Sequence, residues 1–234
     1  MMFLSQLSLN SRNTDVHRDL ASPYEMHRTL MRAFPNPDSG GAGRVLFRIE
    51  APRDEDAEPT VIVQSELQPD WTGLQKKQYA TVNGPKPIAF ASRADGAQAT
   101  SDAAQIRNGD RFRFRLVANP TVKRKVEGRK NGRRDACVTE EQQLAWLVRK
   151  GEAGGFHLAK IETDDDRSVP NVTVTPGGRM TTHRKKDKNT LCHLGVRFDG
   201  VLIVADAVKF AETLASGIGS AKAFGFGLLS IARA

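Results

Sequence analysis

The sequence predicts an α+β protein built from tandem ferredoxin-like (RRM-like) domains with antiparallel sheets. Three observations carry this expectation. The second half orders its periodic segments as β-α-β-β-α-β, the first half opens as β-α-β-β, and a stretch of Ala, Ser, Asp, Gly and Gln at 91–109 separates them. The expected division is a first domain at 1–90, a linker at 91–109 and a second domain at 110–234.

Residues 3–9 alternate imperfectly, but their apolar and hydroxyl content suits a first strand, and a polar stretch follows. A helix then starts at Ser22, which can act as N-cap, with Pro23 in the first helical position and Glu25 placed for a capping box. Met26, Leu30 and Phe34 recur at i, i+4 and i+8 and define its buried face, and Pro35 stops it. After a glycine-rich turn at 39–43, residues 45–49 and 60–65 read as strands joined by an acidic loop.

The second half opens on a strict alternation. Phe112, Phe114 and Leu116 face a core while Arg111, Arg113 and Arg115 line the other face. Thr139 and Gln142 can cap a helix that passes through Trp146 and Leu147 to a stop at Gly151. Residues 155–161 and 196–204 read as strands, Asp206 caps a helix to 216, and 225–231 closes as a strand. Residues 169–191 are expected to be an inserted hairpin or loop. No aromatic RNP1 sequence occurs in this unit, so stacking of single-stranded bases is not the expected mode of recognition.

Composition narrows the function. With 39% hydrophobic and 26% charged residues, and no apolar run near the ~20 residues of a membrane span, the chain reads as a soluble protein. Its first twelve residues lack the basic start and apolar core of a signal peptide, so it is expected in the cytoplasm. Cys137 and Cys192 have no paired spacing and read as packing thiols. The net charge of +8 favours a polyanionic partner.

The charge is also clustered. Lys123, Arg124, Lys125, Arg129, Lys130, Arg133 and Arg134 face the single acid Glu127, and a second cluster holds His183, Arg184, Lys185, Lys186 and Lys188. Solvated loops would show the same pattern, but the scarcity of compensating acids points to nucleic acid. Near the C-terminus, Gly217, Gly219, Gly225 and Gly227 surround Lys222. Such a segment can press bare N–H groups, at Gly219 and Gly225 among others, against a phosphate chain; it is equally the composition of a plain turn.

Tyr24 and His27 lie three apart, which makes them neighbours on a helix, with Arg28 beside Tyr24. The first turns of a helix favour an anion, so a phosphodiester could sit there. Metal-free RNA cleavage needs a group to take or direct the 2′-OH proton and an acid for the leaving 5′-oxygen. Imidazole can do either at neutral pH, whereas a phenol mostly orients or relays. Spacing alone favours the plainer reading, in which the two are boundary residues with ordinary hydrogen bonds. His17 and His157 are isolated, His183 belongs to the basic run, His193 sits in an expected strand, and Asp164-Asp165-Asp166 reads as a solvated loop, so neither metal ligands nor a cofactor is expected.

Five blocks resemble one known family in order and spacing: residues 20–30 (LASPYEMHRTL), 112–120 (FRFRLVANP), 143–147 (QLAWL), 198–202 (FDGVL) and the terminal 217–231 segment. The chain is similar over nearly its whole length to CasE, the CRISPR RNA endoribonuclease of type I-E systems. The resemblance implies a tandem ferredoxin-like fold that recognises the repeat stem-loop of precursor CRISPR RNA. It implies metal-independent cleavage at the 3′ base of the stem, leaving a 5′-hydroxyl and a 2′,3′-cyclic phosphate. Tyr24 and His27 match the family's catalytic tyrosine and histidine. The product would stay bound and pass to the other protein subunits of Cascade, the enzyme being a monomer outside that complex. The basic segments would grip stem phosphates, and the loop with Lys222 would support RNA near the domain junction. Departures from shorter members fall at 92–108 and 164–191. A non-catalytic hairpin-binding subunit and a phosphate-binding enzyme are the competing classes.

Overall fold

The computed structural model describes residues 1–52, 54, 57–92, 103–125, 133–164, 167–183 and 190–234. Strand β1 (Met2–Leu9) leads into two consecutive helices, α1 (Thr14–Ala21) and α2 (Pro23–Met31). They are followed by β2 (Val45–Glu50), β3 (Thr60–Ser65), α3 (Thr72–Lys76), β4 (Ala80–Ser92) and β5 (Ala103–Ile106). The sheet order is β2-β3-β1-β4-β5. All pairs are antiparallel except β4 with β5. The first four strands thus take the 2-3-1-4 order of a ferredoxin-like unit.

Helix α1 is a departure from the polar stretch expected there. Its apolar face is short, Val16 and Leu20 packed into the first-half core, and polar contacts add to its hold. The Asn13 side chain caps it, accepting from Asp15 N, and the fully buried Asp19 accepts a 2.9 Å hydrogen bond from the Tyr79 hydroxyl. That hydroxyl also lies 3.5 Å from Met26 Sδ, which ties α1 to α2. Ser22 is both the C-cap of α1 and the N-cap of α2, where its hydroxyl accepts from Glu25 N at 3.4 Å. The return half of the expected capping box is not made. Ser22 N–H donates to Asp19 O instead, and Glu25 turns to Arg28. Helix α2 ends at Met31, ahead of Pro35, while Met26, Leu30 and Phe34 are all buried as their spacing requires.

The second half contains β6 (Arg111–Ala118), a ribbon of β7 (Thr121–Arg124) and β8 (Arg133–Ala136), α4 (Glu140–Ala153), and β9 (Phe156–Leu158). There follow β10 (Lys160–Glu162), β11 (Ser168–Pro170), β12 (Val172–His183), β13 (Thr190–Val204), α5 (Ala207–Ser216) and β14 (Leu229–Arg233). The main order is β12-β13-β6-β14, with β9 paired to the end of β13, so this unit repeats the arrangement of the first. Phe112, Phe114 and Leu116 face its core, as their alternation demands.

Several boundaries differ from expectation for physical reasons. Strands occupy both ends of the expected linker: β4 reaches Ser92 and Ile106 on β5 is fully buried, while 93–102 lie outside the described residues. Helix α4 runs past Gly151, where a Cβ would lie 2.8 Å from Phe156 O; the glycine serves packing, not termination. The final strand begins at Leu229 because Gly225 and Gly227 have φ of 82° and 90° and cannot continue a strand. The hairpin expected at 169–191 is present as the antiparallel pair β12–β13, and β12 joins the main sheet as its edge strand. Cys192 is exposed, unlike the buried Cys137.

Each half has its own buried cluster, one formed by residues between Leu7 and Ala80 and one by residues between Ile106 and Leu229. Polar contacts join the halves. Gln64 Nε2 donates to Leu214 O at 2.8 Å, and the buried Arg48 donates to Leu228 O while pairing with Glu50. Glu50 in turn accepts from Arg115, which also pairs with Asp199. No helix among the described residues is long and apolar enough to cross a membrane.

Candidate functional site

Helix α2 carries Tyr24, His27 and Arg28 in its first two turns. The Tyr24 ring is 46% exposed and free to meet a ligand. His27 is half-buried, and its ring lies nearly parallel to that of Phe47 on β2, with centroids 6.3 Å apart and planes inclined by 13°. Its Nδ1 is buried without a hydrogen-bond partner among the described residues, and burial lowers its pKa. The imidazole is therefore neutral at pH 7 in the free protein. A buried N–H without an acceptor costs more than a buried lone pair, so the proton belongs on Nε2, the more accessible nitrogen. Arg28 pairs with Glu25 at 2.9 Å, so any RNA phosphate must compete with a carboxylate for it.

The glycine-rich segment 217–227 packs directly beside this helix. Its base is closed by Ile218 N donating to Gly227 O at 2.9 Å, and its short 3-10 turn, Lys222–Phe224, rests on α2 and β2. Lys222 does not project freely as the phosphate reading expects: its Nζ donates to Ser216 O at the end of α5, 2.7 Å away. Burial lowers its pKa, and Arg44 and Lys150 nearby act in the same direction. The four glycines at 217, 219, 225 and 227 all have positive φ. At Gly219 a Cβ would lie 3.1 Å from the Trp146 ring, so bareness here also allows close packing on α4.

At the other end of the loop lies a cleft of about 540 Å³ lined by Lys123, Arg134, Arg149, Lys150, Trp146, Gly219 and Ser220, among others. The β7–β8 ribbon supplies the first two. Lys123 and Arg134 are directly opposed in the register, a like-charge pair that is unfavourable by itself and receptive to an anion. Their neighbours Arg124 and Arg133 both pair with Asp135 instead, at 3.4 and 2.8 Å. Lys125 is exposed just beyond β7. Arg129, Lys130, Lys185 and Lys186 lie outside the described residues.

The structure thus brings Lys123 and Arg134 together with Gly219, and the Gly225 end of the same loop against α2. Sequence reasoning missed Arg149 and Lys150, whose only signal was their place on the less buried face of α4, and Arg44, beside the glycine turn. Among the described residues, no group of three His, Cys, Asp or Glu side chains could hold a metal ion.

A family model described as CRISPR associated protein matches residues 2–233. The chain is 37% identical over 235 aligned residues to the CRISPR-associated endoribonuclease Cse3 of Thermus thermophilus, covering 99% of this chain and 100% of that one. It is 31% identical over 225 residues to the CRISPR system Cascade subunit CasE of Escherichia coli, covering 92% of each. The chain belongs to the CasE family. A solved structure of Thermus thermophilus Cse3 bound to an RNA representing a pre-cleavage complex superposes with a TM-score of 0.78 at 36% identity, covering 99% of both chains. For a CasE-family protein, the apposition of a solvent-facing helix start, a bare loop and a basic cleft is the arrangement that needs a chemical account.

Proposed function

We propose that this CasE-family protein is a metal-independent endoribonuclease that recognises the repeat stem-loop of precursor CRISPR RNA and cleaves at the 3′ base of the stem. The single observation that carries the reading is the full-length relation to Cse3, whose solved structure holds a pre-cleavage RNA. The geometry supports the division of roles. Lys123, Arg134, Arg149 and Lys150 hold stem phosphates, which suits a partner whose deep, narrow major groove admits side chains poorly. The loop with Gly219 and Gly225 carries the strand from this cleft to α2. Residues 1–90 and 110–234 form the bulk of the two domains flanking that path; the two separate buried clusters support two domains, with Ile106 from the expected linker and Phe90 both packed into the second.

At α2 the 2′-oxygen attacks the adjacent phosphorus and the bond to the 5′-oxygen breaks, giving a 2′,3′-cyclic phosphate and a 5′-hydroxyl. One proton leaves the 2′-oxygen and one reaches the 5′-oxygen. His27 is the acid/base group. Burial keeps it neutral in the free protein, while an anionic phosphodiester beside it favours the imidazolium, so bound RNA prepares it to donate. Tyr24, exposed one turn earlier, orients or relays the 2′-OH proton. The cut RNA stays bound for assembly with the other Cascade subunits.

The attack chemistry has a direct test. A hairpin with a single 2′-deoxy nucleotide at the scissile position should bind like the all-RNA hairpin and resist cleavage. End-group analysis of the all-RNA products should find only cyclic phosphate and 5′-hydroxyl termini. Cleavage of the deoxy substrate at the same bond would refute the mechanism.

A further inference from the structure

We propose that Phe47 is a positioning residue that sets the plane of the His27 imidazole and couples it to the glycine-rich loop. The inference rests on the reading of His27 as the acid/base group.

A histidine that moves protons needs its ring held, and a hydrogen bond from one ring nitrogen to a carboxylate or carbonyl commonly does this. His27 has no such bond: its buried Nδ1 is without a partner among the described residues. Its ring plane is set by packing, and the nearly parallel Phe47 ring is the aromatic contact it makes. Phe47 is fully buried in the core of the first half, so it has little freedom of its own.

The same ring touches the loop. A Cβ at Gly225 would sit 3.2 Å from Phe47 Cε2 and 3.6 Å from its Cζ, a tight contact, and with φ at 82° the loop lies close against this edge of the ring in a conformation that favours glycine. β2 is the edge strand of its sheet, and the loop wraps it. Gly217, whose Cβ would lie 2.7 Å from Leu46 Cδ1, covers the side chain that precedes Phe47, and in a strand consecutive side chains take opposite faces. RNA held at Gly219 and Ser220 therefore acts on a segment that clasps β2 from both faces. Phe47 carries any shift of that segment to His27.

The test uses the full chain with Phe47→Leu and Gly225→Ala. The second variant keeps the core contacts of Phe47 and presses on its ring from the loop side. Three quantities are read: hairpin affinity, the single-turnover cleavage rate, and the NMR titration midpoints of His27 and His193. In Phe47→Leu affinity should stay within about twofold of wild type while the cleavage rate falls about tenfold or more; in Gly225→Ala, where the loop itself meets RNA, the cleavage rate is read at saturating hairpin and should fall likewise. In Phe47→Leu the His27 midpoint should rise toward the ordinary value as the ring regains water, with the His193 midpoint unmoved. Unchanged cleavage with an unchanged His27 midpoint would overturn the proposal, as would His27 and His193 midpoints that move together, which would report general loosening. Wild-type cleavage by His27→Ala would sink the catalytic reading on its own. The His27 midpoint in Phe47→Leu would still decide whether Phe47 holds the ring.

Discussion

Two histidines carry the clearest electrostatic signature at the scale of single residues. Burial lowers the pKa of both His27 and His193. His193 lies under the loop, its ring centroid 4.7 Å from that of Phe224, with Asn119 Nδ2 3.1 Å from its Nδ1. Because Asn119 Oδ1 accepts from Leu194 N, its amide nitrogen faces His193 and donates; this puts the neutral ring's proton on Nε2, and unlike at His27 that nitrogen is itself buried without a partner among the described residues. In the unfolded chain both rings titrate near the ordinary value of 6.5. As pH falls through that value the unfolded state takes up protons first. Stability is therefore fully present above about pH 6.5 and declines toward the depressed folded midpoints. Urea unfolding between pH 7.5 and 5 should show this loss, and His193→Gln, which keeps an acceptor for Asn119 but cannot titrate, should show a shallower one. An identical slope in the variant would contradict the assignment. Tyr24 and His27 were legible in the sequence as a helix-start pair. Phe47 was not, because its role arises from a contact between strand and helix that no local pattern encodes.

At the scale of elements, capping chemistry was the most readable signal. Ser22, Thr139 and Asp206 all cap helices as their sequence context requires. Helix α1 escaped because its apolar face is short, Val16 and Leu20 alone, and a buried Asp19–Tyr79 bond adds to the hold. The β7–β8 ribbon escaped because its residues are charged, and charge conceals strand pairing from any hydrophobic pattern. Pairing gives the ribbon's cations unequal roles. Lys123 and Arg134 line the cleft without an acid partner among the described residues, whereas Arg124 and Arg133 share Asp135. Lys123→Ala and Arg134→Ala should each weaken hairpin binding and lower the slope of log affinity against log salt by about 1. Arg124→Ala should change that slope less. Equal slopes in all three variants would show that the ribbon binds through diffuse charge and not through the cleft.

Across the whole molecule, two similar units are set against each other by Arg48, Gln64 and the glycine loop, so that chemistry carried by the first half meets a surface built largely by the second. The tandem fold could be read from element order in the second half, where caps and alternation agree. The loop's real position could not, since four glycines around a lysine have one composition whether they cradle phosphate or clasp an edge strand. The central claim is that this assembly cuts RNA through His27 without a metal. Its most direct test is incubation of the purified protein with the host repeat hairpin in EDTA, comparing wild type with His27→Ala for both binding and cleavage. The account predicts cleavage at the stem base that survives EDTA in wild type, and an intact, still tightly bound hairpin with His27→Ala. Cleavage by the variant at the wild-type rate, or an EDTA-sensitive wild-type reaction, would contradict it.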